Sequence, residues 1–379
     1  MATRTEIHLI GMGKFLPQPI PVASSLRRSR PAHKGKLITA PKVYDLFGPR
    51  TICHQIDENG QTLTYEQGGR NDTQMCVEAT QEAIRKSGIP LDELNQRHTL
   101  VVRLGCTFED LHLCTSFGKI LSRVGLRKAH PLEQDLGCAA VAWGLHEILI
   151  HAASRMFKYV IFILSNAVEG VVLGDEEVEE RLRMHPDPWA WGSLVFASGA
   201  STSVFKIVEV DSSSGQKPRG LLAARERTLE HELVTYGSGG SGNPPRASNL
   251  FDQLYRMNAP LVGEIFVPSI LKAVEDLKED WAVQVEPVLG YPFSFDRVKR
   301  VYFHQANRWR IQDAVDALKL DPRKVPTNIE RFGNTTCAST FLLLEEDFEL
   351  GLVNEGDLVV FLLVGAGLGA MLGYGVMVI

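Results

Sequence analysis

The chain has 379 residues, 44% of them hydrophobic and 22% charged, which is enough to build a full core as one large domain or two smaller ones. A formal net charge of −5 gives no basic field of the kind nucleic acid requires. The six cysteines, at 53, 76, 106, 114, 138 and 337, lack CxxC spacing and are too sparse for a disulfide framework, so neither a metal site nor a secreted disulfide scaffold is predicted and a reducing cytoplasm fits best.

The first residues, MATRTEIHLIGMGKFLP, carry only a short apolar run cut by glycines and a proline, which predicts no secretory signal and a mature chain that begins there. Gly11 and Gly13 do not form a dinucleotide loop, because prolines stand where its helix should begin. Loop signals cluster at residues 17–35, 211–220 and 237–245. Between them a strand is predicted over 100–104, a helix over 114–126, an apolar helix after Gly137 and a strand over 159–164, an alternation that predicts an α/β fold with buried sheets. Residues 358–379 are uncharged and long enough to cross a membrane, with a GxxxG at Gly369 and Gly373. Their five glycines, however, punctuate them as strand, turn and strand, so two buried strands are predicted instead. GAGLGA at Gly365 leaves too little chain for a Rossmann unit.

Two stretches look alike. Gly137-Cys138 opens an apolar helix and a strand follows; Gly333-Asn334 opens another, again followed by a strand, with corresponding points about 200 residues apart. A duplicated unit is therefore expected, with residues 1–210 carrying Cys138 and residues 211–379 carrying His304 and Asn334.

YFHQANRWRI, residues 302–311, ends a strand in His304 and Asn307 before a helix anchored by Ile311, Val315 and Leu318. Arg308 and Arg310 read as its solvated face. Cys138 alone could be a small buried hydrophobe, but a helix start is where amides and the dipole favour a thiolate. Asn334 in GNTT could be a helix cap. Together a thiolate and two neutral hydrogen-bond donors suit acyl-thioester chemistry, in which negative charge develops on an oxygen.

HQAN at 304–307, GNTTCAST at 333–340, DLGC at 135–138 and the glycine loop from Gly365 to Gly373 resemble the signatures of the β-ketoacyl-acyl carrier protein synthase III group of the thiolase superfamily. The resemblance implies the thiolase fold, α/β with duplicated halves in five layers (αβαβα), and a homodimer. It implies Cys138 as acyl-accepting nucleophile, and His304 and Asn334 as donors to the thioester oxygen when a malonyl group loses CO2. The amides of Cys138 and Leu368 would form the oxyanion hole, and Leu113, Arg50, Phe47 and Asn307 would stand on the substrate side, Asn307 by bonding backbone near its turn. No resident cofactor is implied; acyl-carrier-protein or coenzyme A thioesters are the expected substrates and partners, with no nucleic acid and no membrane.

Three departures matter. Ala139-Ala140 follow the cysteine where the family often has Ser-Gly, and ASGA at 197–200 stands for GDGA. In LFGPRTI, residues 46–52, Arg50 is kept but the stacking tryptophan is replaced by Leu46 or Phe47, which favours a carrier-protein donor over free coenzyme A. The basic stretch LRRSRPAHKGK, residues 26–36, could dock an acidic carrier or simply be solvated. The leading expectation is a decarboxylative Claisen condensation in specialised polyketide or fatty-acid-like biosynthesis. The alternatives are acyl transfer to a hydroxyl or amine, and a catalytically silent partner subunit, against which the intact Cys, His and Asn set argues.

Overall fold

A computed structural model describes residues 3–29, 32–33, 36–106, 115–168, 191–211, 215–231, 233–236, 255–366 and 370–379. Nine strands make its main sheet: β1 (Thr3–Phe15), β2 (Thr99–Gly105), β3 (His130–Asp135), β4 (Tyr159–Asn166), β5 (Gly199–Asp211), β6 (Gly220–Leu229), β7 (Arg300–Phe303), β8 (Leu358–Ala366) and β9 (Ala370–Val378). Their spatial order is β7-β8-β9-β6-β1-β5-β4-β2-β3.

The sheet repeats one topology. In β3-β2-β4-β5-β1 the strands β3, β2 and β4 are parallel, and β5 runs antiparallel to both β4 and β1. In β7-β8-β9-β6 the strands β7 and β8 are parallel, and β9 runs antiparallel to both β8 and β6. The two sets meet where β1 and β6 pair in parallel at Ile7 and Gly220. Gly220 has φ +96°, and a Cβ there would lie 2.2 Å from the Ile7 carbonyl oxygen, so this seam closes only on a residue with no side chain.

Helices cover the sheet in three layers. α1 (Asp72–Ser87) and α2 (Thr115–Val124) lie on the outer face of the first set, where Cys76, Ala83, Phe117 and Ile120 meet Ile161 and Ile163. α3 (Ala140–Ala153) and α6 (Ser339–Glu349) fill the middle, joining Val141, Leu145 and Phe341 to Phe162 of one set and Phe361 of the other. α4 (Ala259–Asp280) and α5 (Arg308–Leu318) cover the second set through Phe266, Ile270 and Ile311 against Val301, Val360 and Leu362. This is the expected five-layer α/β arrangement. Because both faces of the strands are covered, their residues alternate between two cores: Val359, Phe361 and Leu363 of β8 face the middle, Val360 and Leu362 the outer layer. Full burial of each such side chain contributes about 1.5–3 kcal/mol.

The uncharged stretch of residues 358–379 forms the antiparallel pair β8 and β9, as its glycines imply, and no described helix is long and apolar enough to cross a membrane. Gly11 and Gly13 lie inside β1. A Cβ on Gly13 would sit 2.3 Å from the Ala79 carbonyl oxygen of α1, so these glycines permit close strand–helix contact. Helix α1 opens with a capping box between Asn71 and Gln74 and ends at Gly88 in the left-handed region. Part of the expected 17–35 loop is instead a helix, Val22–Ser29, which begins directly after Pro21 and buries Val22 and Ser25. The 237–245 segment lies outside the described residues.

One buried charge interrupts β2. Arg103 is fully buried toward α1 and α2, paired with Asp72 and Glu133 and donating to Ser116 Oγ at 3.0 Å. Despite the cost of burying it, Asp72 beside it holds its charge more firmly than usual.

Candidate active site

The nucleophile candidate is carried by the turn between β3 and α3. Gly137, at φ +69°, donates to the Gly105 carbonyl at 3.4 Å, and Ala140 donates back to Gly137 O at 3.3 Å. Helix α3 begins at Ala140, so Cys138 lies in the turn preceding the helix rather than in its first residue. The turn is tied to the second set of strands by the Ala139 N–H, which donates to Ala366 O at 3.0 Å. Cys138 is 5% exposed.

Gly365 explains how these elements approach. A Cβ at this position would sit 2.7 Å from Cys138 Cβ and 3.4 Å from His304 Cδ2. The close contact requires glycine, and it brings the imidazole edge beside the sulfur-bearing residue.

His304 follows β7, and its amide donates to Leu362 O of β8 at 3.3 Å. The residue is 1% exposed, and burial lowers its pKa to about 4, so the ring is neutral near pH 7. Its Nδ1 lies 3.4 Å from Ser339 Oγ, while the Ser339 hydroxyl donates to Thr336 O at 2.7 Å. The shorter bond takes the hydroxyl proton, and the longer contact is too weak to fix the tautomer.

Asn334 is held from both sides of its backbone: its N–H donates to Val195 O at 2.7 Å and its carbonyl accepts from Ala197 N at 2.9 Å. Its side-chain Oδ1 accepts from Thr336 N at 2.8 Å, which turns the amide so that Nδ2 is the end left for a ligand. Asn334 therefore precedes a 3-10 turn, Thr336–Ala338, that leads into α6, rather than opening the helix itself. The ASGA segment noted only as a departure supplies part of this support.

Cys138, His304 and Asn334 all line one cavity, with Gly365 and Ala366 at its side. The remaining wall is apolar, made chiefly by Phe196, Met257, Val262, Ile265 and Phe266. Sequence reasoning missed these wall residues. The only signal was the apolar stripe of α4, which continues past the residues that bury against the strands.

The expected substrate-side residues are placed differently. The Asn307 side chain donates to Leu46 O at 2.9 Å and accepts from the amides of Trp309 and Arg310, so it caps α5 and holds the 46–52 segment. Phe47 is 5% exposed and packs with Val43, Ile52 and Cys53. So placed, the ring offers no open face on which a base could stack. Arg50 is exposed, with its guanidinium carbon 3.9 Å from the Tyr44 ring centre. None of these three lines the cavity. Arg308 and Arg310 are paired with Glu330 and Asp313 on the surface of α5. Leu113 and Leu368 lie outside the described residues. Among the described residues, no group of three or more His, Cys, Asp or Glu side chains could hold a metal ion.

The family model for the C-terminal part of 3-oxoacyl-[acyl-carrier-protein] synthase III matches residues 292–376, which span His304, Asn334 and Gly365. The β-ketoacyl-[acyl-carrier-protein] synthase III of Clostridium beijerinckii is 24% identical over 305 residues, covering 79% of this chain and 83% of its own. Among solved structures, the 3-oxoacyl-[acyl-carrier-protein] synthase III of Aquifex aeolicus superposes with a TM-score of 0.72 at 19% identity, covering 98% of this chain and 100% of its own. OleA of Xanthomonas campestris gives 0.73 at 16% identity and full coverage of both chains. Residues 292–376 thus match the C-terminal part of 3-oxoacyl-[acyl-carrier-protein] synthase III, and over most of its length the chain is similar in sequence, and in fold, to β-ketoacyl-acyl carrier protein synthases III.

Proposed function

We propose that the protein is a condensing enzyme that takes an acyl group onto Cys138 and joins it to a malonyl or related thioester by decarboxylative Claisen chemistry. The observation that carries this reading is the convergence of one thiol, one neutral imidazole and one oriented carboxamide on a single apolar cavity.

In the first half-reaction the Cys138 thiolate attacks the carbonyl carbon of an acyl thioester, and the Cys138 amide supports the oxyanion. Collapse expels the donor thiol and leaves the acyl group on sulfur. In the second, a malonyl thioester enters the same cavity and loses CO2. The electron pair moves onto its thioester oxygen, where Asn334 Nδ2–H donates and the neutral His304 ring donates in the tautomer that carries its proton on Nε2. The enolate carbon then attacks the Cys138 acyl carbon, and the sulfur leaves as thiolate. A neutral histidine serves this step without placing a full charge beside the thiolate, and the apolar wall excludes the water that would hydrolyse the acyl-enzyme.

The buried Phe47 ring and the Arg50 guanidinium stacked on Tyr44 support a donor on an acyl carrier protein over free coenzyme A. The open edge of the sheet at β3, where four of six residues are exposed and two half-buried, supports a homodimer. The division of the chain at 210/211 belongs to the same reading, with Cys138 given by one half and His304 and Asn334 by the other.

The test is intact-mass measurement after incubation with acyl-carrier-protein and coenzyme A thioesters, followed by labelled malonyl thioester. Wild type gains the acyl mass and then releases labelled CO2 with a ketoacyl product; Cys138→Ala gains nothing. Acyl loading that ends in an ester or amide without CO2 would replace condensation by simple transfer.

A further inference from the structure

A second thiol lies beside the turn that carries the nucleophile. Cys106 follows the last residue of β2, whose Gly105 is the register partner of Asp135 at the end of β3, and the Gly137 amide bonds back to Gly105 O at 3.4 Å. These parallel strand ends bring Cys106 beside the turn that carries Cys138, close enough for the Cys138 side chain to raise the pKa of the Cys106 thiol. Both residues are buried, at 8% and 5% exposure, and Cys138 opens onto the cavity. Cys337, also in contact with Cys106, directs its sulfur toward the carbonyls of Leu104 and Ser165, at 3.6 and 3.5 Å.

We propose that Cys106 is a resolving thiol for Cys138, and that a hydroperoxide entering the acyl cavity converts the pair into a reversible disulfide that blocks acyl loading. The step balances. The Cys138 thiolate attacks a peroxide oxygen, the O–O bond breaks, the alcohol or water leaves, and Cys138 becomes a sulfenic acid. The Cys106 sulfur then displaces the sulfenic oxygen, which departs with the Cys106 proton as water while the S–S bond forms; two thiols have given two electrons to one peroxide.

In the reduced state the Cys138 sulfur, together with burial, holds the Cys106 thiol well above its ordinary pKa, so Cys106 keeps its proton and does not compete for the acyl group. The pairing also shields the nucleophile, since capture as a disulfide stops oxidation before the irreversible sulfinic stage.

This rests on the reading of Cys138 as the reactive thiol, and the two are tested separately on the full chain. Reduced protein is titrated with hydrogen peroxide, and each sample is divided: one part is read unalkylated for intact mass and acyl loading, the other is alkylated and digested for disulfide peptides. The expected result is a loss of about 2 Da with a Cys106–Cys138 peptide, and a parallel loss of acyl loading that dithiothreitol restores. In Cys106→Ser, and in Cys106→Ala as a second variant, peroxide instead adds about 32 Da and loading does not return. A wild type that goes directly to the sulfinic mass, or that links Cys106 to Cys337, overturns the proposal. A disulfide that forms in a reduced protein unable to load any acyl group would leave the redox pair standing and sink the condensing reading.

Discussion

Replacing Asn334 separates the chemistry of the site from its architecture. In Asn334→Ala the Nδ2 donor is lost, and the buried Thr336 amide also loses its 2.8 Å acceptor. Loss of one preorganised donor to a developing oxyanion costs about 3–4 kcal/mol, so decarboxylation should fall by roughly 10²–10³. The unpaired Thr336 amide adds about 1–3 kcal/mol of lost stability, because a buried donor then has neither protein nor water. Asn334→Asp keeps an oxygen for Thr336 while replacing the donor by an acceptor; it should retain that backbone bond yet lose decarboxylation at least as severely. The assay is release of labelled CO2 from malonyl thioester by the preacylated enzyme, with acyl loading followed separately by mass and stability by urea titration. Loading should persist in both variants. A variant that loads and also decarboxylates at the wild-type rate would refute the assigned role of the carboxamide.

Other outcomes follow from the same geometry. Burial depresses the His304 pKa to about 4, so between the ordinary histidine value near 6.5 and pH 4 the unfolded chain binds a proton that the folded one does not. Stability is fully present above that window and is lost as pH falls through it, by about 3 kcal/mol; His304→Gln should flatten this slope in denaturant titrations from pH 7 to 4. Gly365→Ala forces a methyl to 2.7 Å from Cys138 Cβ and should cost about 1–3 kcal/mol while slowing acyl loading, read by chemical denaturation and by mass. Asp72→Ala removes a partner from the buried Arg103 and should cost about 3–5 kcal/mol in a urea titration, without the selective loss of decarboxylation expected at Asn334.

Periodicity and glycine placement made much of the fold legible. The apolar run at 358–379 could be assigned to strands because glycine spacing breaks a helix as it permits a turn, and the alternating cores of β8 bear that out. Motif reasoning found the three residues that share the cavity because each stands at the end of an element, where local sequence determines side-chain delivery. The burial of Phe47 was not legible because its cluster also holds Val195, Phe196 and Met257, far away in the chain, which a local reading cannot assemble. The cavity wall from α4 and the contact between Cys106 and Cys138 were hidden for the same reason. The Val22–Ser29 helix was lost among prolines that end where it begins.

The meeting of Ile7 with Gly220 has a mechanical consequence. It is the one register pair between the two strand sets among the described residues, so their relative angle is set largely by the side chains of α3 and α6 wedged between them. Cys138 hangs from one jaw of this vise, and His304 and Gly365 from the other. A bulky residue at 220 would therefore pry the jaws apart and uncouple sulfur from imidazole at long range, with every reactive group still chemically intact.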